Sequence, residues 1–183
     1  MLFRSYSQNN LNKFNRTLRY SRLVNDIDNA DPSIVSNETD IQLIKYTQPV
    51  LNIPQNIILE FKSELAQNIP ELADEHPISD LHTLSSTNFV YNGQRNCRLE
   101  DDGNGKVNVV FPSGTNHIVV DEVGTVNYNT GIVKISNFTI TNFTGRFLKV
   151  YATPKFKDVS SSQNVILNIV EPDINVSIQQ IRE

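Results

Sequence analysis

Residues 100–105, with the sequence Glu-Asp-Asp-Gly-Asn-Gly, carry the side chains of a calcium-binding loop. Carboxylate and amide oxygens are the usual ligands of Ca²⁺, and a glycine in the sixth position gives an EF-hand loop its sharp turn. If Glu100 takes the first position, the twelfth is Phe111, where an EF-hand needs a glutamate that binds through both oxygens. We therefore predict that residues 100–105 form the tip of a β-hairpin and bind no calcium.

A transition-metal site is the second chemistry that the residue types allow. His76 and His82 lie near the acidic residues Asp74, Glu75 and Asp80. Their spacing fits neither a helical pair of ligands four residues apart nor a zinc signature. We predict no metal ion and no cofactor for this chain.

Nucleophilic catalysis has little support in the sequence. Cys97 is the single cysteine, so no internal disulfide can form, and no histidine or other base stands near it along the chain. His117 lies in a predicted turn without an obvious partner. Because the chain also lacks a glycine-rich phosphate loop, a nucleophile elbow and a recognisable carboxylate pair, we predict that it is not an enzyme.

Charge and composition argue against two further classes of protein. The net charge of −4 and the pI near 5.4 argue against a general nucleic-acid binder, which is usually basic. No apolar run approaches the roughly 18 residues that a membrane-spanning helix needs. The 23 asparagines favour turns and caps over the interiors of helices and strands, so we expect extensive loops.

Residues 1–30 are predicted to form two short helices, because the apolar stripe moves to another face after Leu18. Ser21 is placed to cap the second helix. The pair Asp31-Pro32 is placed to end it, since the residue before a proline avoids the helical region.

Three arginines in this segment are candidates for a contact with another protein. Arg16, Arg19 and Arg22 recur every three residues and would share one face of a helix. That face is either simply solvated or a docking strip for an acidic partner surface. We take the three arginines as interface candidates.

The rest of the chain is dominated by short apolar runs between polar turns, which is typical of antiparallel strands. Polar, proline-punctuated residues 65–80 are interpreted as a linker or long loop. The predicted fold class is α+β, with short N-terminal helices and a small sheet in residues 1–83, followed by a β-rich antiparallel domain in residues 84–183. The predicted strands are 41–46, 57–61, 87–91, 97–99, 107–111, 118–120, 126–128, 132–135, 138–140, 147–151, 165–170 and 174–178.

One hairpin is marked more clearly than the others. Residues 126–128 and 132–135 flank Asn129-Thr130-Gly131. A three-residue loop of this kind is a type I turn followed by a residue at positive φ, and glycine takes that conformation without steric cost. We therefore predict a positive φ for Gly131.

Two blocks of sequence resemble a known family. Residues 18–34, Leu-Arg-Tyr-Ser-Arg-Leu-Val-Asn-Asp-Ile-Asp-Asn-Ala-Asp-Pro-Ser-Ile, followed by Ser36-Asn37, resemble a stretch of the baseplate wedge subunits of contractile-tailed phages, relatives of the baseplate J-like proteins. Residues 123–133, Val-Gly-Thr-Val-Asn-Tyr-Asn-Thr-Gly-Ile-Val, then Asn137-Phe-Thr, resemble the Gly–aromatic–Gly hairpin near the C-terminus of the same proteins. Because family members are several times longer, we expect this chain to match only their C-terminal part.

The resemblance implies a non-enzymatic structural subunit of the virion tail baseplate, assembled in the host cytoplasm. Wedge subunits of this kind pair as homodimers and join into a ring around the tail hub. The implied partners are therefore copies of the chain itself and other baseplate wedge proteins.

A two-fold contact is expected mainly from residues after Leu84. A thin core and many short strands leave apolar surface that a monomer would expose, and such surface usually marks an interface. The resemblance also points to pairing through the C-terminal part of the family's chain. Val126, Tyr128 and Ile132 are the interface candidates.

An alternative function is a carbohydrate- or receptor-binding β-module. Such a module would need exposed aromatic side chains grouped on one face. Tyr91, Tyr128 and Tyr151 are the candidates, and each of them also fits packing inside a strand pattern.

Overall fold

The computed structural model describes residues 2–67, 82–113, 116–161 and 166–177. The chain divides into two compact units, one of residues 1–39 with 158–183 and one of residues 40–157. Helices lie in the first unit and a large antiparallel sheet in the second, so the predicted α+β class is confirmed. The predicted segments 1–83 and 84–183 stay a prediction about domains, while the compact units describe where contacts concentrate.

The first unit contains the helices and a two-stranded sheet. Helix α1 (Leu2–Tyr6) runs directly into a π-helix (Ser7–Leu11), and helix α2 spans Tyr20–Asp28. Strand β1 (Thr17–Leu18) pairs antiparallel with β12 (Val159–Ser160), and a 3₁₀ helix covers Glu171–Asp173. Two short helical segments are thus present, but the first ends at Leu11, and Leu18, which the prediction placed in the first helix, lies in β1 instead.

The predicted cap of α2 is wrong. The helix begins at Tyr20, so Ser21 lies inside it and Arg19 is the N-cap residue, without a side-chain capping bond. The main-chain N–H of Tyr20 instead donates to Oδ1 of Asp158 at 2.8 Å. A carboxylate from far along the chain therefore satisfies one of the donors that a helix start leaves open.

The second unit is built on ten strands in one antiparallel sheet. The longest path through it runs β2-β11-β4-β6-β7-β8-β9-β3, and the short β10 joins through β5, which pairs with β6. The strands are β2 (Leu43–Thr47), β3 (Gln55–Glu60), β4 (Leu84–Ser86), β5 (Phe89–Tyr91), β6 (Gln94–Asp101), β7 (Lys106–Ser113), β8 (Asn116–Asn127), β9 (Ile132–Phe138), β10 (Asn142–Phe143) and β11 (Leu148–Ala152).

One hydrophobic core lies inside this sheet. In β3, Ile57 and Leu59 are buried while their neighbours are exposed, as the alternation of side chains along a strand requires. Phe89 and Phe138 meet edge to face, with ring centroids 5.3 Å apart. Strands β3 to β9 and β11 all contribute to this one cluster, so the sheet wraps a common interior.

Several strand predictions fail in the second half of the chain. Residues 118–120 and 126–127 belong to one long strand, β8, and residues 139–140 form no strand after β9. Residues 166–170 and 174–177 are also not strands, while Val165 and Ile178 lie outside the described residues. Most of the predicted linker 65–80 lies outside the described residues too.

Candidate assembly surfaces

The hairpin of β8 and β9 has the conformation that its glycine predicts. Strand β8 ends at Asn127 and β9 begins at Ile132, so the loop has one residue more than predicted. Gly131 has φ of +64°, which confirms the predicted positive φ. A Cβ at Gly131 would lie 2.2 Å from the main-chain oxygen of Ser63, so this position tolerates only glycine.

The three apolar interface candidates lie together beside this hairpin, but two of them are buried within the chain. Val126 is 5% exposed and Tyr128 is 8% exposed, and both belong to the hydrophobic core. Ile132 is half-buried. All three border a shallow, open cleft of about 550 Å³. An interface that included Val126 or Tyr128 would have to use their main chain or a rearranged side chain.

Of the three tyrosines that the alternative carbohydrate- or receptor-binding function would use, Tyr91 and Tyr128 are buried. The hydroxyl of Tyr128 donates to Oδ2 of Asp101 at 2.7 Å, and that of Tyr91 donates to Oδ2 of Asp121 at 2.7 Å. Burial, and then the hydrogen bond to the carboxylate, raises the pKa of Tyr91 to about 12 and raises the pKa of Tyr128 as well. Tyr151 is half-buried. Neither Tyr91 nor Tyr128 presents its ring to solvent.

The first half of β8 is the surface that sequence reasoning missed. We call residues 116–121 the ribbon end of β8 and residues 124–127 its hairpin end. In the ribbon end, Ile118 is 51% exposed, Val119 is 58% exposed and Val120 is 39% exposed. The signal in the sequence was the run of three consecutive β-branched residues, which cannot all point into one core.

The two ends of β8 also differ in pairing. The hairpin end pairs with β9, and Gly124 and Thr125 pair with β7 as well. Among the described residues, the ribbon end pairs with β7 alone. Register shifts leave Val120 and Val123 as extra residues opposite β7, so one bulge lies within the ribbon end and the second separates it from the hairpin end. The ribbon end therefore presents a strand edge and apolar side chains together.

The three arginines do not share one helix face. Arg16 precedes β1 and is held through its main chain, where its N–H donates to Oγ of Ser161 at 2.9 Å. Arg19 caps α2, and only Arg22 lies within that helix. All three side chains are exposed, and Nη1 of Arg19 lies 3.9 Å from Oδ2 of Asp158. The arginines are thus near one another along the chain but on different elements.

A polar cluster on β6 also escaped the sequence analysis. We call His82, Arg98, Glu100 and His117 the Glu100 cluster. The Glu100 side chain is 2% exposed, and its Oε2 lies 3.1 Å from Nε2 of His82 and 2.8 Å from Nδ1 of His117. Nε of Arg98 donates to Oε1 of the same carboxylate. His117 lies in β8 and not in a turn, which is why its partners could not be seen from its sequence neighbours.

The predicted tip of the β6–β7 hairpin is confirmed. Oδ1 of Asp102 accepts hydrogen bonds from the main-chain N–H groups of Asn104 at 2.8 Å and Lys106 at 2.9 Å. This is the local side-chain turn that aspartate favours. The neighbouring Asp101 points elsewhere, since its Oδ1 accepts from the N–H of Leu84 at 2.8 Å.

Comparison with known proteins finds one family that is similar to the N-terminal part of the chain. Within the described residues, no helix has the length and apolar content that crossing a membrane requires. A search of curated proteins finds no match to the chain. Residues 3–46 match the family described as "Baseplate structural protein gp6, C-terminal domain III". The matched residues contain the first of the two blocks that carry the resemblance, so over this stretch the chain is similar to that baseplate family.

Proposed function

We propose that this chain is a non-enzymatic structural subunit of a contractile-tail baseplate, where it pairs with a second copy of itself and contacts other wedge proteins around the tail hub. The observation that carries the proposal is the match of residues 3–46 to a baseplate structural family. A subunit of an assembled ring needs surfaces for its neighbours. Two surfaces of the chain have the chemistry for this role.

The ribbon end of β8 is the proposed self-association surface. An antiparallel pairing of this edge with its own copy is two-fold symmetric by construction, because the same residues lie on both sides. Centred on Val119, such a pairing places Asp121 opposite residue 117, so that no acidic side chains face each other. Ile118 and Val119 would lose their exposure to water, which favours association.

The bulge at Val120 limits how far this pairing can extend. A bulge ends the regular ladder, so main-chain pairing alone gives a short contact. A specific interface buries at least roughly 1,000 Å² in total. The proposed dimer therefore also requires surface on either side of the ribbon end.

The molar mass of the chain in solution tests the dimer. Light scattering at micromolar concentration should give twice the monomer mass of 20.7 kDa for the parent protein, and the monomer mass for Val119→Asp. Ile58→Asp is the matched control, because Ile58 is 62% exposed on β3, an end strand of the sheet away from β8. A monomeric parent, or a dimer that dissociates in the control and persists in Val119→Asp, would refute the proposed surface.

The exposed arginines are the proposed surface for an acidic neighbour. Charge-assisted pairs at an interface set orientation and association rate more than affinity. Replacing Arg16, Arg19 and Arg22 together by serine should lower incorporation of the chain into baseplates, measured in purified particles, while circular dichroism of the isolated variant stays unchanged. Full incorporation of the folded variant would show that the arginines are simply solvated.

A further inference from the structure

The Glu100 cluster brings metal-binding side chains from three parts of the sheet to one point. His82 lies two residues before β4, Glu100 lies in β6 and His117 is the second residue of β8. One ring nitrogen of each histidine and one oxygen of Glu100 all lie within 4.8 Å of one another. Strand pairing therefore fixes the positions of Glu100 and His117, and the hydrogen bond from its ring to the main chain of Asp101 holds His82.

The hydrogen bonds of His82 indicate a positive group between its ring and Glu100. Nδ1 of His82 lies 2.9 Å from the main-chain oxygen of Asp101, which can only accept, so Nδ1 must donate. In the neutral ring, Nε2 then carries a lone pair, yet it lies 3.1 Å from Oε2 of Glu100, which is another acceptor. Two acceptors fit at this distance when a proton or a metal ion lies between them.

We propose that His82, Glu100 and His117 bind a divalent transition-metal ion, with Zn²⁺ as the best fit. Two imidazoles and one carboxylate are an established zinc ligand set that leaves the fourth position to water. Ligand atoms on a tetrahedral zinc lie roughly 3.3 Å apart when each bond is about 2.0 Å long. The distances of 3.1 Å and 2.8 Å from Oε2 of Glu100 to the two rings are shorter than that spacing, and the two histidine nitrogens lie within 4.8 Å of each other, so small side-chain shifts would bring the three atoms around one ion.

The surroundings of the three ligands support this proposal. The bond from Nδ1 of His82 to the carbonyl of Asp101 is the kind of outer contact that fixes the ring of a metal-binding histidine. Burial of Glu100 excludes water, which strengthens the attraction between its carboxylate and a cation. The metal would connect β6, β8 and the segment that leads into β4, through Glu100, His117 and His82.

Arg98 is the group that the metal would displace. Its Nη2 lies 2.9 Å from Nε2 of His117, so in the absence of metal that nitrogen accepts and Nδ1 carries the proton. Zinc on Nδ1 would leave the proton on Nε2, facing the guanidinium. Because the Arg98 side chain is 30% exposed at the rim of the cluster, it can turn towards solvent while the ligands stay in place.

Zinc titration of the full chain, expressed without a histidine tag and first dialysed against a chelator, tests the proposal. We expect about one Zn²⁺ per chain by isothermal titration calorimetry, and a rise of several degrees in the unfolding temperature at saturating zinc, since a ligand bound only by the folded state stabilises it. Replacement of zinc by Co²⁺ should give visible absorption typical of a four-coordinate site.

Substitutions locate the ion. His82→Gln and Glu100→Gln should each weaken zinc binding at least 10-fold, while Glu122→Gln, which removes an exposed carboxylate on β8 that pairs with Lys106 outside the cluster, should leave it unchanged. Circular dichroism of each variant checks that it folds, and the stoichiometry of the parent protein does not depend on the variants. No binding by the parent at 100-micromolar zinc, or binding lost in Glu122→Gln and kept in His82→Gln, overturns the proposal. In the first case a proton is the positive group between His82 and Glu100.

Discussion

The two ends of β8 belong to one continuous strand but have opposite environments. The hairpin end pairs with β9 and places Val126 in the core. The ribbon end pairs with β7 alone among the described residues and exposes Ile118 and Val119. Residues of the same type, valine and isoleucine, therefore pack in the core at one end and are exposed at the other. Burial, and not residue type, separates the core residues from those that the proposed contact would use.

The largest effect that would test this contrast comes from a charge at the hairpin end. Val126→Asp places an unpaired carboxylate at a position that is 5% exposed, and should lower the free energy of unfolding by more than about 4 kcal/mol. Val119→Asp at the ribbon end should change the free energy of unfolding of the monomer by less than about 0.5 kcal/mol, so the variants are compared with the parent at a concentration too low for the dimer. Urea unfolding followed by circular dichroism measures both, and equal losses would remove the contrast.

A smaller loss is expected where the hairpin loop approaches β3. Gly131→Ala should cost about 3 kcal/mol, because the new Cβ meets the main-chain oxygen of Ser63 and φ lies in the left-handed region. The matched control is Gly93→Ala, which has φ of +81° and no atom within 4 Å of its Cβ, and should cost about 1 kcal/mol. If the two variants lose the same free energy of unfolding, the close approach of Ser63 to Gly131 does not contribute to the cost.

Tyr128→Phe sharpens the contrast through a single hydrogen bond. Removing the hydroxyl leaves Oδ2 of the buried Asp101 without this donor, and should cost about 1–3 kcal/mol. Tyr91→Phe should cost less, since its partner Asp121 is exposed and gains water in place of the hydroxyl. Thermal unfolding at neutral pH compares the two variants. A larger loss for Tyr91→Phe contradicts this ranking.

The smallest effect is the response to alkaline pH. Burial, followed by the bond to Asp121, raises the pKa of Tyr91 from 10.0 to about 12, so between these values the unfolded chain releases a proton that the folded chain keeps. The stability that this group contributes is complete below pH 10 and is lost as pH rises towards 12. Tyr91→Phe should therefore weaken the decline of stability between pH 10 and pH 12. An identical decline in the variant would count against this cause.

The sequence could predict what depends on neighbouring residues. Gly131 and the Asn92-Gly93 pair mark their turns because positive φ values are a local requirement, and both Asn92 and Gly93 have positive φ. The α+β class followed from local periodicity in the same way. The family resemblance added the expectation of a baseplate role, which no side-chain pattern had given.

What failed depends on contacts between distant parts of the chain. Pairing with β7, interrupted by two bulges, makes β8 one continuous strand. Its apolar runs look like two separate strands in the sequence. The Glu100 cluster joins residues 98 and 100 of β6, residue 117 of β8 and residue 82 before β4, so no spacing rule could find it. Likewise, Asp158 caps a helix that begins at Tyr20. Sheet register and long-range contacts, and not residue preference, decide such features.

The way in which the second unit begins and ends has a consequence for engineering. Strand β2, near the start of this unit, pairs with β11, near the end of the unit. Nζ of Lys157 lies 3.1 Å from Oδ1 of Asp40. The first and last residues of this unit are therefore neighbours. Residues 40–157 form a continuous insertion in the chain, and the segments before and after it pair through β1 and β12. A protein made of residues 40–157 alone would have its two termini close together, which suits insertion into a loop of another protein.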